Sequence, residues 1–195
     1  MKLFKIASGI LVLAAPFAAK SAFAQTSTWK ADSAHSEVDF TIKHLGISNV
    51  HGRFGKTEAV ITYDEKDITK STVNATIDVA GVDTGEAPRD NHLKTDSFFD
   101  VAKYPTATFV STGVTKTASG LSVAGNLTLH GVTKPVVLEV EGPSAPVTGM
   151  DKKPHVGFSA TTTIHRTDFG IGAGFPAAVL GDDVKLTIDL DAAKQ

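Results

Sequence analysis

From Val38 to Leu190 the apolar residues of this chain keep returning at every second position, and that period decides what the chain can become. A strand turns successive side chains to opposite faces, so period two describes a sheet with one buried face; a helix would need 3.6. Val38, Phe40 and Ile42 alternate with polar residues, as do Val73, Ala75, Ile77 and Val79. Leu121, Val123, Gly125, Leu127 and Leu129 do the same, followed by Val136, Leu138 and Val140. Val156, Phe158, Ala160, Thr162 and Ile164 form another run, and Val184, Leu186, Ile188 and Leu190 the last. With weaker runs near 51–63 and 105–114, the pattern predicts about eight strands. Only the stretch 86–100 reads as helical, and briefly.

The links between runs are short and rich in Gly, Asp and Pro, which suits antiparallel neighbours. Two all-β architectures answer that description, a sandwich and a closed up-and-down barrel, and alternation does not separate them. Closure has the advantage of removing exposed strand edges. Several positions on the apolar phase are small: Ala75, Ala107, Gly125 and Ala160. A barrel of about eight strands is just wide enough to fill itself or to hold one small ligand, and small inward residues favour the second.

Residues 1–24 stand apart. Lys2 and Lys5 precede an apolar run from Ile6 to Ala19, and Ala22-Phe23-Ala24 closes the segment. Positive start, short apolar middle and A-x-A end describe a secretory signal peptide, with cleavage expected after Ala24. The run is too short to be a membrane anchor. The mature part, 25–195, is then a single domain destined for the periplasm. The chain has 19 Lys+Arg against 21 Asp+Glu, and the removed segment carries away Lys2, Lys5 and Lys20 but no acid. An acidic remainder argues against nucleic acid or an anionic membrane surface as partner. There is no cysteine, hence no disulfide, thiol nucleophile or lipidation site of that kind.

Reactive constellations are sparse. Asp83-Thr84-Gly85 spells the aspartic-protease triplet once, whereas that mechanism needs two carboxylates sharing a proton; a turn is the better reading. His44 and His51 flank a turn and could face each other across a hairpin as two metal ligands, joined by His35, His92, His130 or His165. No G-x-S-x-G is present, so a hydrolase using His92 or His130 as base would lack a recognisable nucleophile. Three polar clusters lie beside apolar runs: Arg89, Asp90 and His92; His130 to Pro135 with Lys134; and Arg166 to Gly170 with Asp168.

Taken in order, these pieces resemble the YceI-like family of exported bacterial proteins. The resemblance rests on W-x-x-D-x-x-H-S (Trp29, Asp32, His35, Ser36), the run from Phe40 to Phe54, and D-T-G-x-x-x-R-D-x-H-L-K-x-x-x-F-F-D (Asp83 to Asp100). G-N-L-T-L-H-G-V-T-K-P-V (Gly125 to Val136) and R-x-D-F-G (Arg166 to Gly170) complete it. It implies an all-β, elongated, eight-stranded antiparallel lipocalin-like barrel around an apolar tunnel, with one short helical segment near 86–100. It also implies a binding protein for a polyisoprenoid or another long-chain amphiphile, not an enzyme, and no required cofactor. Isoprenoid quinones, isoprenoid phosphates and fatty amides are the ligand types so implied. The inward phase then nominates Phe40, Ile42, Ile77, Phe109, Leu127, Leu129, Phe158 and Ile164 as tunnel wall, with Phe98 and Phe99 closing one end. Arg89, His92, His130, Lys134 and Arg166 are the head-group candidates, cations suited to a phosphate or a quinone oxygen. The expected partner is a hydrophobic small molecule or lipid; a homodimer stays open. The alternative is a periplasmic metal-binding or stress protein using the histidines.

Overall fold

The structure, a computed structural model, describes residues 26–195. The secretory segment read over 1–24 and its cleavage point lie outside the described residues. Eleven strands share one sheet: β1 (Thr26–Ala31), β2 (Glu37–His44), β3 (Ser48–Arg53), β4 (Thr57–Asp64), β5 (Thr72–Asp78), β6 (Thr106–Lys116), β7 (Leu121–Leu129), β8 (Val132–Glu141), β9 (Val147–Thr148), β10 (Pro154–His165) and β11 (Leu180–Lys194). Among the described residues there is one α-helix, α1, which spans Ala87–Leu93. Around the ring the order is β11-β1-β4-β5-β6-β7-β8-β10, and β10 pairs back to β11, which closes an eight-stranded antiparallel barrel. The alternation leaves two architectures, and closure through β10 and β11 decides for the barrel.

β1 and β2 work as one strand bent in the middle. Both lie on the same edge of β11, β1 against Ala192 to Lys194 and β2 against Leu180 to Asp189. The bend holds because the Asp32 amide donates to the Asp191 carbonyl at 2.7 Å, while the Ser36 hydroxyl accepts from the Asp191 amide at 3.1 Å. β3 and β4 form a second broken strand, so the single weak run at 51–63 is interrupted at Phe54 to Lys56. There Gly55 and Gly81 approach so closely that a Cβ on Gly81 would stand 2.6 Å from the Gly55 Cα. β1 carries little of the apolar period, since its buried positions are Ser27 and Trp29.

One end of the barrel is plugged by Trp29, Ile61, Val156 and Ala192, with Tyr63 and Phe158 packed against them. Over the other end lies the segment between β5 and β6. Val79 and Ala80 donate to the Pro105 carbonyl at 2.9 and 3.1 Å, pinning the two roots of this cap together. Pro88 sits in the first turn of α1, where its fixed φ and missing N–H suit a helix start. The Asp90 carboxylate reaches back to accept from the Thr84 amide at 2.8 Å. After α1 the chain turns, and Phe98 and Phe99 enter the core.

Candidate binding cavity

Between plug and cap the barrel is hollow, with a cavity of about 400 Å³. Packed interiors leave few voids larger than a water molecule, so a space of this size is built rather than left over. Its wall follows from the inward phase of the strands. Phe40 and Ile42 of β2, Ile77 of β5, Phe109 of β6, Leu127 and Leu129 of β7 and Ile164 of β10 line it, and Phe98 and Phe99 descend from the cap. Phe158 does not. It shares that phase, but it lies toward the plugged end and packs with Trp29 and Val156, below the hollow part of the barrel.

Two aromatic rows support the cap. Phe54 stands 5.3 Å from Phe40 and edge-on to Phe99 at 5.7 Å. His92 meets Phe98 edge-on at 4.9 Å, and Phe98 stacks on Phe175 at 5.2 Å. Phe175 and Val179 come from the connection between β10 and β11, and Leu180 opens β11; the connection carries little alternation, and its one signal is an aromatic in a run of Gly and Ala. The exposed members of the lining, His44, Arg89, His92 and Val179, mark the mouth between the β2–β3 turn, α1 and this connection.

The five cationic candidates part company here. Arg89 and His92 line the mouth. Arg89 donates from Nε to the Thr84 hydroxyl at 2.7 Å and from Nη2 to the Thr84 carbonyl at 2.9 Å, which orients it with donors to spare. Arg166 also borders the cavity, but it is 2 % exposed and its guanidinium is fully engaged by backbone. Nε donates to the Gly181 carbonyl, Nη1 to Ile171 and Gly172, Nη2 to Phe175 and Leu180, at 2.6 to 3.0 Å. A guanidinium has five N–H groups, so none remains for a head group, which corrects the role read for Arg166.

His130 is likewise not on the wall. With φ 52° beside Gly131 at φ 73°, it forms the tight two-residue turn between β7 and β8, the geometry that matches strand twist. Its Nδ1 lies 2.9 Å from the Phe169 carbonyl, and its ring meets Tyr104 edge-on. Lys134 faces Leu127 in the ladder and is half-buried, but it is not among the residues that line the cavity.

The histidine pair His44 and His51 is not a chelating pair. Thr41 faces His51 in the ladder and Ser48 faces His44, so the two rings project from opposite sides of the hairpin. His44 borders the cavity, whereas His51 Nδ1 meets the Thr41 hydroxyl at 3.0 Å outside. The D-T-G triplet is a turn: Asp83 accepts from the Gly85 amide at 2.8 Å and from Arg53 at 3.0 Å. Those donors, Gly85 first, hold its carboxyl below the usual aspartate value. Thr57 was not foreseen. It lines the cavity at 1 % exposure, and its hydroxyl has no hydrogen-bond partner among the described residues.

The comparisons agree with this architecture. The YceI-like domain pattern matches residues 29–192. A UPF0312 protein of Yersinia enterocolitica is 38 % identical over 190 residues, 95 % of each chain. The YCEI protein of Campylobacter jejuni superposes with a TM-score of 0.69 at 36 % identity, covering 79 % of this chain and 90 % of that one. BcnA of Burkholderia cenocepacia gives 0.69 at 27 %, over 83 % and 98 %. A domain of Saccharophagus degradans described as polyisoprenoid-binding shares the fold, with a TM-score of 0.63 at 18 % identity over 86 % and 98 %. A closed eight-stranded barrel, a hollow apolar interior and a pattern match over almost the whole described chain lead to one conclusion: the chain belongs to the YceI-like family.

Proposed function

We propose that this protein binds a long-chain apolar molecule of the polyisoprenoid class, keeping its chain out of water in the periplasm. The observation that carries this reading is the cavity of about 400 Å³ walled by aliphatic and aromatic side chains from strands all round the barrel. Burying a methylene contributes roughly 0.8 kcal/mol, hence about 3–4 kcal/mol for each isoprene unit. Association itself costs about 4–15 kcal/mol, so several units must enter before binding becomes tight. That scale favours a long chain over a small soluble metabolite. The Saccharophagus degradans domain, alike in fold, carries the polyisoprenoid description, which is consistent with the same use of the barrel.

Arg89 and His92 at the mouth would meet an oxygen-bearing head group, as a quinone, an isoprenoid phosphate or a fatty amide provides. The reading is of a carrier rather than an enzyme. The hydroxyls that line the cavity, Thr57 and Thr162, hydrogen-bond no histidine among the described residues. Export rests on the lysine-led apolar segment and its A-x-A end.

Native mass spectrometry of protein purified from periplasm, without lipid stripping, tests both parts. A mature chain starting at Gln25 with a hydrophobic adduct is expected. Protein that stays empty when offered polyprenols, prenyl quinones and fatty amides overturns the binding reading.

A further inference from the structure

At the plugged end, far from the mouth, a second group of chemically able side chains comes together. The turn that separates β1 from β2 carries Asp32 and His35 and sets them against Asp191, near the C-terminal end of β11. One carboxylate oxygen of Asp32, one ring nitrogen of His35 and one carboxylate oxygen of Asp191 all lie within 4.8 Å of one another. We propose that Asp32, His35 and Asp191 form a binding site for a single divalent transition-metal ion of the Zn²⁺ type.

The donor set fits that ion. One imidazole nitrogen and two carboxylate oxygens suit a borderline divalent metal, and two carboxylates neutralise its charge. Ligands at about 2.0–2.2 Å around a tetrahedral ion are roughly 3.3 Å apart, so modest side-chain rotations draw the three atoms in. The His35 ring, 71 % exposed, is tied only through Nδ1 to Asp32 Oδ2 at 2.9 Å, a contact that an ion between the two atoms would take over, and water can complete the coordination from the open side.

The backbone that carries these side chains is fixed independently of them. The Asp32 amide donates to the Asp191 carbonyl at 2.7 Å, and the Ser36 hydroxyl bonds both the amide and the carbonyl of Asp191 at 3.1 and 3.3 Å. The turn and the strand end are therefore held side by side before any ion arrives.

A supporting layer stands behind the ligands. His155 Nδ1 lies 2.6 Å from Asp191 Oδ1, and its Nε2 lies 3.1 Å from Asp151. This imidazole occupies one oxygen of Asp191 and leaves the other free to turn toward the site, the arrangement that orients carboxylate ligands in metal centres. Among the described residues neither Asp32 nor Asp191 forms a salt bridge with a lysine or arginine. Asp32 already meets His35 Nδ1 at 2.9 Å and Asp191 meets His155 Nδ1 at 2.6 Å, so an ion would replace the Asp32–His35 contact and keep His155 behind Asp191.

Tag-free mature protein titrated with Zn²⁺ by calorimetry, with native mass spectrometry for stoichiometry, tests the site. One ion per chain is expected, weakened more than 100-fold in both His35→Gln and Asp191→Asn. Because His35 is exposed in a turn, its variant keeps the fold even if the Asp191 variant does not. His155→Gln should weaken binding about 10–100-fold, as expected for a supporting residue. His51→Ala, on the outer face of the β2–β3 hairpin, should leave it unchanged. Mg²⁺, which demands octahedral oxygen coordination, should not compete at equal concentration. No bound Zn²⁺, undiminished binding in His35→Gln, loss in His51→Ala, or equal affinity for Mg²⁺ would each overturn the proposal.

Discussion

The guanidinium of Arg166 donates to the carbonyl of Phe175 at 2.7 Å, and the ring of Phe175 stacks on Phe98 at the cavity mouth. A buried cation thus shapes the entrance without facing the guest. Replacing Arg166 with Met takes a donor from five carbonyls within the β10–β11 connection and its flanks, of which Gly172 keeps the Phe175 amide at 2.9 Å. Each unsatisfied buried group costs about 1–3 kcal/mol, so even partial relaxation leaves a loss of roughly 3–5 kcal/mol. Urea denaturation should show that loss, and hydrogen exchange should show 171–180 opening first.

Thr57 offers the opposite case, a buried hydroxyl with nothing to bond. Thr57→Val keeps the shape and removes the stranded polar atom, so stability should rise by about 1 kcal/mol. Affinity for a saturated hydrocarbon chain should stay level or improve. A thermal melt that falls instead would show that the hydroxyl has a partner in solution.

Filling the hollow should abolish uptake without unfolding the barrel. Ala75 faces the cavity on β5, and Ala75→Phe places a ring where the guest chain would run. Overpacking a full core costs about 1–3 kcal/mol, but here there is space to receive the ring, so the cost should sit at or below that range. Displacement of a fluorescent polyprenol analogue should weaken by at least tenfold, with midpoint stability nearly unchanged. In the parent protein, affinity should climb with each added isoprene unit until the chain outgrows the barrel.

Asp83 ties the cap to β3, and its carboxyl is held low, first by the Gly85 amide and then by Arg53. A carboxyl whose folded value lies below its unfolded one stabilises the fold above the ordinary aspartate value of about 4. That contribution fades as the pH falls through the lowered folded value. Protection of the cap amides should therefore be flat from pH 7 to about 5 and drop below about 4. Asp83→Asn should remove this acid dependence, which hydrogen exchange at graded pH will show.

The barrel could be read from the chain because burying one face of a strand writes a period of two into it, and most of the wall follows from that period. Phe40, Ile77, Leu127 and Ile164 line the cavity for this reason. Phe158 has the same period yet sits in the plug, since alternation gives a residue's face but not its height along the barrel. β1 escaped because its inward positions are Ser27 and Trp29, too few apolar residues to show a pattern. Parity explains His44 and His51: once the turn fixes the register, the two lie on opposite faces, and the turn is not visible in spacing alone. The misreading of Arg166 has a different source. Charge in a sequence advertises a donor, but nothing in the sequence says that its own neighbours will use every hydrogen.

The free edge of β3 carries a mechanical consequence. Around most of the ring each strand is laced to its neighbour by a longer ladder, but β8 and β10 share only the three pairs from Ser159–Glu141 to Thr161–Glu139. Between β3 and the cap the lacing is the isolated bridge of Arg53 and Asp83, whose amides and carbonyls exchange two hydrogen bonds at 2.9 and 3.0 Å. The vessel is a staved cask, tight over most of its hoop and more loosely fastened at these two seams, and a bulky guest would strain the seams before any fully laced stave.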